Sequence, residues 1–257
     1  MPLKKLISNF SSFHRYLIGP RQGFRILMYH SVSNGVKDDP LGFFTVDPTL
    51  FATHIKILAE SSSIELVNFS DGINIDSNKS LKIAVTFDDG YKDTLHTIAP
   101  ILHEYRIPFT VFVISDFVKH RVKDYLNEKE LFELSQLPKV TIGSHGSTHT
   151  PLTELSEANL IEELVSSKKY LEDVTSHNIN IISYPHGGIN KKVRSEAINA
   201  GYKVGGTSHF NINNYSKDPM LLSRTLINAV DYERVFKQKL KGSWDWNRFR
   251  NIGSLIK

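Results

Sequence analysis

Seven short apolar runs, rich in β-branched and aromatic residues, punctuate the chain. They are "FRILMYH" (24–30), "KIAVTFD" (82–88), "PFTVFVI" (108–114), "KVTIGSH" (139–145), "INIISYP" (179–185), "YKVGGTS" (202–208) and "LLSRTLI" (221–227). Each has the length and composition of a buried strand. Between most of them, at 91–105, 127–137, 156–176 and 190–200, apolar positions recur at helical spacing. Strands alternating with helices predict an α/β protein with a parallel sheet and crossovers. About seven such units fit a closed barrel better than an open doubly wound sheet, which the alternation alone also allows.

The interval 31–81 breaks the rhythm. Within it "DPTLFATHIKILAE" predicts an amphipathic helix that starts at Asp47-Pro48 and puts Phe51, Ile55 and Leu58 on one face. "VNFSDGI" (67–73) follows as a loop or short edge strand. At the N-terminus, Leu3, Leu6, Ile7, Phe10, Phe13 and Leu17 recur at helical spacing until Gly19-Pro20. Residues 1–23 are therefore expected to form an amphipathic helical arm, 24–242 a single barrel domain, and 243–257 an aromatic and basic tail. The arm either packs on the domain or lies on a membrane surface, where Lys4, Lys5 and Arg15 meet anionic headgroups.

Composition narrows the chemistry. A net charge of +4, spread along 257 residues, gives no reason to expect a nucleic-acid partner. With no cysteine, thiolate nucleophiles and Cys-ligated zinc are excluded, which leaves His and Asp/Glu as the strong metal ligands. No apolar run reaches transmembrane length, and the N-terminus lacks the uninterrupted apolar core of an export signal, so a cytoplasmic location is expected.

The polar residues fall where such a barrel works, at the carboxyl ends of its strands. Those ends carry His30, Asp88-Asp89, "SHGSTH" (144–149), "YPHGG" (184–188) and Thr207-Ser208. Adjacent strand residues point to opposite faces, so Asp88 and Asp89 are expected to do different work. Acidic residues before a glycine are also ordinary turn formers, and an isolated H-x-x-x-H also occurs on exposed loops. Read as a helical turn, His145 and His149 lie on one side, suited to one ion, and Asp89 completes a set of two imidazoles and a carboxylate. A glycosidase would need carboxylates separated by roughly 5–9 Å across the scissile bond, which an adjacent pair does not supply.

"TFDDG", "SHGSTH" and "YPHGG" together resemble the successive signatures of the polysaccharide deacetylase (NodB-homology) family, over residues 24 to about 230. The resemblance implies a distorted (β/α)7 barrel and removal of N-acetyl groups from an amino sugar in a surface polysaccharide or its precursor. It implies Asp88 as general base, and Asp89, His145 and His149 as ligands of one divalent metal. Zinc is the first choice, with cobalt, nickel or iron also suited to these donors. The backbone N–H of His186 is implied to hold the oxyanion.

Two departures qualify the match. Ser183 stands where many members carry an arginine that orients the base, and Arg224 is the candidate replacement or else part of a structural ion pair. The late Leu-x-His signature that supplies the acid is missing. "LMYHSV" resembles a subgroup in which the acid comes from an N-terminal Tyr-His, so His30 takes that role, with His209 in reserve. Tyr184 and Tyr29, with Tyr91 and Trp244 behind them, are candidates to stack on sugar rings, although such residues more commonly belong to the core. A deformylase acting on a lipid-linked sugar, or a catalytically silent carbohydrate-binding protein, is the alternative function.

Overall fold

The structure, a computed structural model, describes residues 23–73, 81–214 and 217–249. Of the N-terminal arm expected over 1–23, residues 1–22 lie outside the described residues and Gly23 begins the first strand.

All seven expected strands form. They are β1 (Gly23–Tyr29), β5 (Leu81–Phe87), β6 (Phe109–Val113), β7 (Val140–Ser144), β8 (Ile181–Ser183), β9 (Val204–Gly206) and β10 (Thr225–Leu226). They lie side by side in the order β10-β1-β5-β6-β7-β8-β9, every pairing parallel. The sheet curls, and β9 meets the segment just before β10 at an isolated parallel bridge between Gly206 and Leu222. An additional short strand, β4 (Ile64–Leu66), pairs with the start of β5, while β2 (Ser31–Val32) and β3 (Thr45–Val46) form a separate two-stranded sheet. The result is the single α/β domain expected, with a curled parallel sheet.

Helices cover the outside of the curl. The expected helix after Asp47 is α1 (Pro48–Ala59), whose N-cap carboxylate accepts from the N–H groups of Thr49 and Leu50 at 2.8 and 3.1 Å. The stretch 91–105 divides into one π-helical turn and the short α2 (Ala99–Glu104). Next come α3 (Ser115–Lys119), α4 (Glu128–Ser135), α5 (Glu157–Thr175), α6 (Lys191–Asn199) and α7 (Glu233–Leu240). No described helix is long and apolar enough to cross a membrane.

Strand alternation sorts the core into two layers. Phe24, Ile26, Ala84, Phe112, Ile181, Val204 and Leu222 pack together within the curl. Leu27, Tyr29, Ile83, Val85, Phe87 and Val111 belong to the larger cluster shared with the helices. The boundary expected at 242 does not hold. Asp245 is buried, and its carboxylate pairs with Arg25 of β1 at 2.9 and 3.1 Å. A pair so buried is expensive to break from one side, so 243–249 belong to the domain rather than to a tail.

Candidate active site

The β5 ladder runs on for one residue: the Asp88 N–H donates to the Tyr29 carbonyl at 3.0 Å. Asp89 and Gly90 then turn left-handed, with φ of 73° and 80°. Pleat alternation therefore does not separate the two carboxylates, as the sequence led us to expect; the turn brings both to one histidine. Nε2 of His145 lies 3.9 Å from Asp88 Oδ2 and 3.4 Å from Asp89 Oδ1. Gly90 fits because its φ suits glycine and because a Cβ there would meet Val113 at 3.1 Å.

His145 follows β7, and its Nδ1–H donates to the Ser183 carbonyl at 2.8 Å, which leaves the Nε2 lone pair free for a cation held between it and Asp89. His149 Nε2 is 3.5 Å from the same Asp89 oxygen. The loop between them is not the helical turn expected from their spacing, since His149 itself is left-handed with φ 66°. A buried carboxylate from α5 shapes it instead. Glu163 accepts from the Ser147 and Thr148 N–H groups at 2.8 and 2.7 Å. The His186 ring closes the far side, donating from Nε2 to the His149 carbonyl at 3.1 Å with the two rings 4.5 Å apart.

The donors of Asp89, His145 and His149 all lie within 4.8 Å of one another. Asp89 Oδ1 is buried and has no hydrogen-bond partner, the 3.4 Å approach of His145 being too long for a good one. A tetrahedral ion with bonds of about 2.0–2.1 Å would separate its ligands by about 3.3 Å, which the two carboxylate–imidazole separations of 3.4 and 3.5 Å already match. The electrostatics agree. Burial raises the Asp89 carboxyl, but His145 and the charges of His30 and His149 bring it well below the usual range. Burial opposes charge on both imidazoles. The two aspartates nevertheless push His145 up, while burial and the His145 charge hold His149 down to about 4. The cluster thus favours a positive charge at its centre.

Asp88 stands apart from the trio. Arg224 grips it with two bonds of 2.6 and 2.7 Å, and the guanidinium also donates to the Ser183 hydroxyl at 2.7 Å. That hydroxyl in turn donates to Asp88 Oδ2 at 3.2 Å. Burial raises the Asp88 carboxyl, but Arg224 and then His145 outweigh it and hold the group ionised. Gly206 makes room, since a Cβ there would meet Arg224 at 3.0 Å.

Of the two acid candidates, His30 is the one whose charge acts on both Asp88 and Asp89. His209 is exposed and touches the site through its backbone, accepting from the Arg224 N–H at 2.9 Å. The stacking roles expected for Tyr29 and Tyr184 are corrected. Both are fully buried, Tyr29 bonding His54 at 3.1 Å beneath α1 and Tyr184 donating to the Met220 carbonyl at 3.0 Å.

Two residues missed in the sequence support this machinery. Glu163 left a signal, a charge within the Leu160, Leu164, Ser167 and Leu171 stripe of its helix. Glu163→Ala should strand the buried Ser147 N–H and loosen the half-buried Thr148 N–H beside the ligands, and weaken metal affinity about 10–100-fold, read by chelator competition. Unchanged affinity would show that the loop holds its shape without the carboxylate.

Asp93 left no such signal. It accepts from the Ser31 hydroxyl and the Val32 N–H at 2.5 and 2.9 Å, fixing the chain just after His30. Burial pushes it up to about 6 despite those bonds, above its unfolded value of about 3.9. The native state therefore binds the proton more tightly, and stability should fall as pH rises through about 4 to 6. Between pH values of about 4 and 7, wild type should lose about 1–3 kcal/mol more than Asp93→Asn in urea melts. Parallel losses in the two proteins would assign the burden to other groups.

A family model described as polysaccharide deacetylase matches residues 76–205. The chain is 30% identical over 186 residues to Bacillus subtilis YxkH, whose name assigns it provisionally to the polysaccharide deacetylases. That match covers 71% of this chain and 63% of the relative. A Staphylococcus aureus poly-β-1,6-N-acetyl-D-glucosamine N-deacetylase is 27% identical over 175 residues, covering 63% of this chain and 58% of that protein. The chain thus spans less than two thirds of the length of these relatives. In fold it is similar to the Streptococcus pyogenes deacetylase PplD, solved with acetate. The TM-score is 0.76 at 23% identity, covering 86% of this chain and 99% of that one. The Bacillus cereus polysaccharide deacetylase BC0361 superposes with a TM-score of 0.75 at 26% identity, covering 86% and 69%.

Proposed function

Because the chain belongs to the polysaccharide deacetylase family, we propose that it hydrolyses the N-acetyl group of an amino sugar in a surface polysaccharide or its precursor. One observation carries the reading: a trio fit for a cation stands beside a separate carboxylate, Asp88, clamped by Arg224. The relative named for poly-β-1,6-N-acetyl-D-glucosamine supports the substrate class.

Asp89, His145 and His149 hold the ion, with zinc as first candidate and cobalt, nickel or iron also suited to these donors. Such an ion supplies Lewis acidity, polarising the amide carbonyl and lowering the pKa of water. Asp88, ionised and fixed by Arg224 and Ser183, accepts the proton of the attacking water. The His186 N–H donates to the oxygen on which negative charge develops. His30 gives a proton to the departing nitrogen, which cannot leave as an amide anion. Base and acid must start in opposite protonation states, so kcat/KM should be bell-shaped in pH.

Ser183, the departure that favoured a silent protein, is absorbed into this arrangement, because Arg224 reaches Asp88 from the other side of the curl and bonds the serine as well. Acetate release should be assayed on polymeric, lipid-linked and nucleotide-linked N-acetylated sugars, with metal content measured alongside. At least one class is expected to release acetate, and chelation to stop it. A protein with a full complement of metal that releases none, yet binds the sugars, would be a carbohydrate-binding module.

A further inference from the structure

A cationic cavity lies beside the Asp88–Tyr91 turn and has no part in the chemistry above. Lys92, Arg121, Lys123 and Lys129 line it, around Tyr125 and Glu128, enclosing about 380 Å³. None of the four cations forms an ion pair with a described carboxylate. The acidic groups at hand are engaged elsewhere. Glu128 accepts from the Tyr170 hydroxyl at 2.8 Å, Asp38 from the Tyr125 hydroxyl at 2.8 Å, and Glu130 from the Asn127 N–H at 2.9 Å. Lys92 is felt by Glu130 through space, so its charge is partly offset. Arg121, Lys123 and Lys129 form no ion pair among the described residues; Glu128 in the same lining offsets one charge, and the excess of cations that is left attracts an anion.

The cavity is tied to the site rather than merely near it. The Lys92 N–H donates to the Asp124 carbonyl and the Leu126 N–H to the Gly90 carbonyl, each at 3.0 Å. Tyr125, which lines the cavity, stacks on Tyr91, two residues past Asp89, with centroids 4.6 Å apart. Within the same segment Arg121 and Asp124 are left-handed, at φ of 51° and 74°, conformations that cost about 1 kcal/mol or more for residues other than glycine.

We propose that this cavity binds an anionic substituent, a phosphate or a carboxylate, on a sugar next to the one that loses its acetyl group. The substrate is then an acidic glycan. The planar fork of Arg121 matches either oxyanion, and the lysines add point charges around it. Only the identity of the ligand as a glycan rests on the deacetylase reading; anion binding itself does not.

The probes are three N-acetylglucosamine oligosaccharides of equal length: one neutral, one carrying a phosphate and one carrying a uronic carboxylate. Metal-loaded protein is titrated calorimetrically with each, and acetate release is followed in parallel. Wild type should bind at least one charged oligosaccharide about tenfold more tightly than the neutral one. The advantage should vanish in salt strong enough to shrink the screening length to about 3 Å. Arg121→Ala combined with Lys123→Ala should abolish the preference and leave binding and acetate release for the neutral oligosaccharide unchanged. Equal affinities in wild type, or a preference that survives the double substitution, would overturn the proposal. The two charged arms decide between phosphate and carboxylate. Discrimination without acetate release from any arm would instead sink the deacetylase reading and leave the anion site standing.

Discussion

Asp88→Asn is expected to retain the divalent ion and lose turnover by about 10²–10⁴-fold, whereas Asp89→Asn should lose the ion and the activity together. The asymmetry follows from what each carboxylate touches. Both Asp88 oxygens are occupied by Arg224, at 2.6 and 2.7 Å, and Asp88 is not among the clustered donors. An asparagine there keeps an acceptor for one guanidinium bond and removes the basic oxygen needed by the attacking water. Asp89 Oδ1, by contrast, is buried without a partner between two imidazole nitrogens at 3.4 and 3.5 Å. Its negative charge is what makes the centre attractive to a cation. Metal content by atomic emission and kcat on one substrate measure both effects. If the two variants lose metal equally, the assignment of base and ligand made here is wrong.

The parts of this site visible in the sequence were those that depend on strand order alone. Parallel strands deliver their carboxyl ends to one rim, so His30, Asp88, His145, Pro185 and Thr207 had to converge once the seven runs formed neighbours. Arg224 was visible only through the family resemblance, as the last-strand arginine that could replace the one missing at Ser183. What stayed hidden depends on partners distant in sequence or on parity. The His145–His149 spacing suggests a helical turn, yet the loop takes its shape from a carboxylate 16 residues beyond Ser147. The run "FRILMYH" is apolar at nearly every position, so nothing in it shows that Tyr29 shares the outer face with Leu27, beneath α1. Likewise, the Asp245 that anchors the chain after α7 finds its partner 220 residues away.

His30→Ala is expected to lower kcat by about 10²–10⁴-fold with metal content intact, and to flatten the alkaline limb of the pH–rate profile. Sheet register supplies the motive. Tyr29 pairs with Phe87, and the Asp88 N–H donates to the Tyr29 carbonyl, so His30 stands beside Asp88 at the rim. Asp93 fixes the two residues that follow it, and the Phe44 ring leans against the imidazole at 4.8 Å. Nδ1 is buried with no partner, so no fixed acceptor within the described protein competes for the ring's proton. A positioned imidazole of this kind serves the step in which the amine leaves and does little for attack by water. An activated ester, whose leaving group departs without protonation, should therefore be largely spared by the substitution. Amide and ester falling in the same proportion would reduce His30 to a positioning residue and return the acid's role to His209, despite its exposed ring.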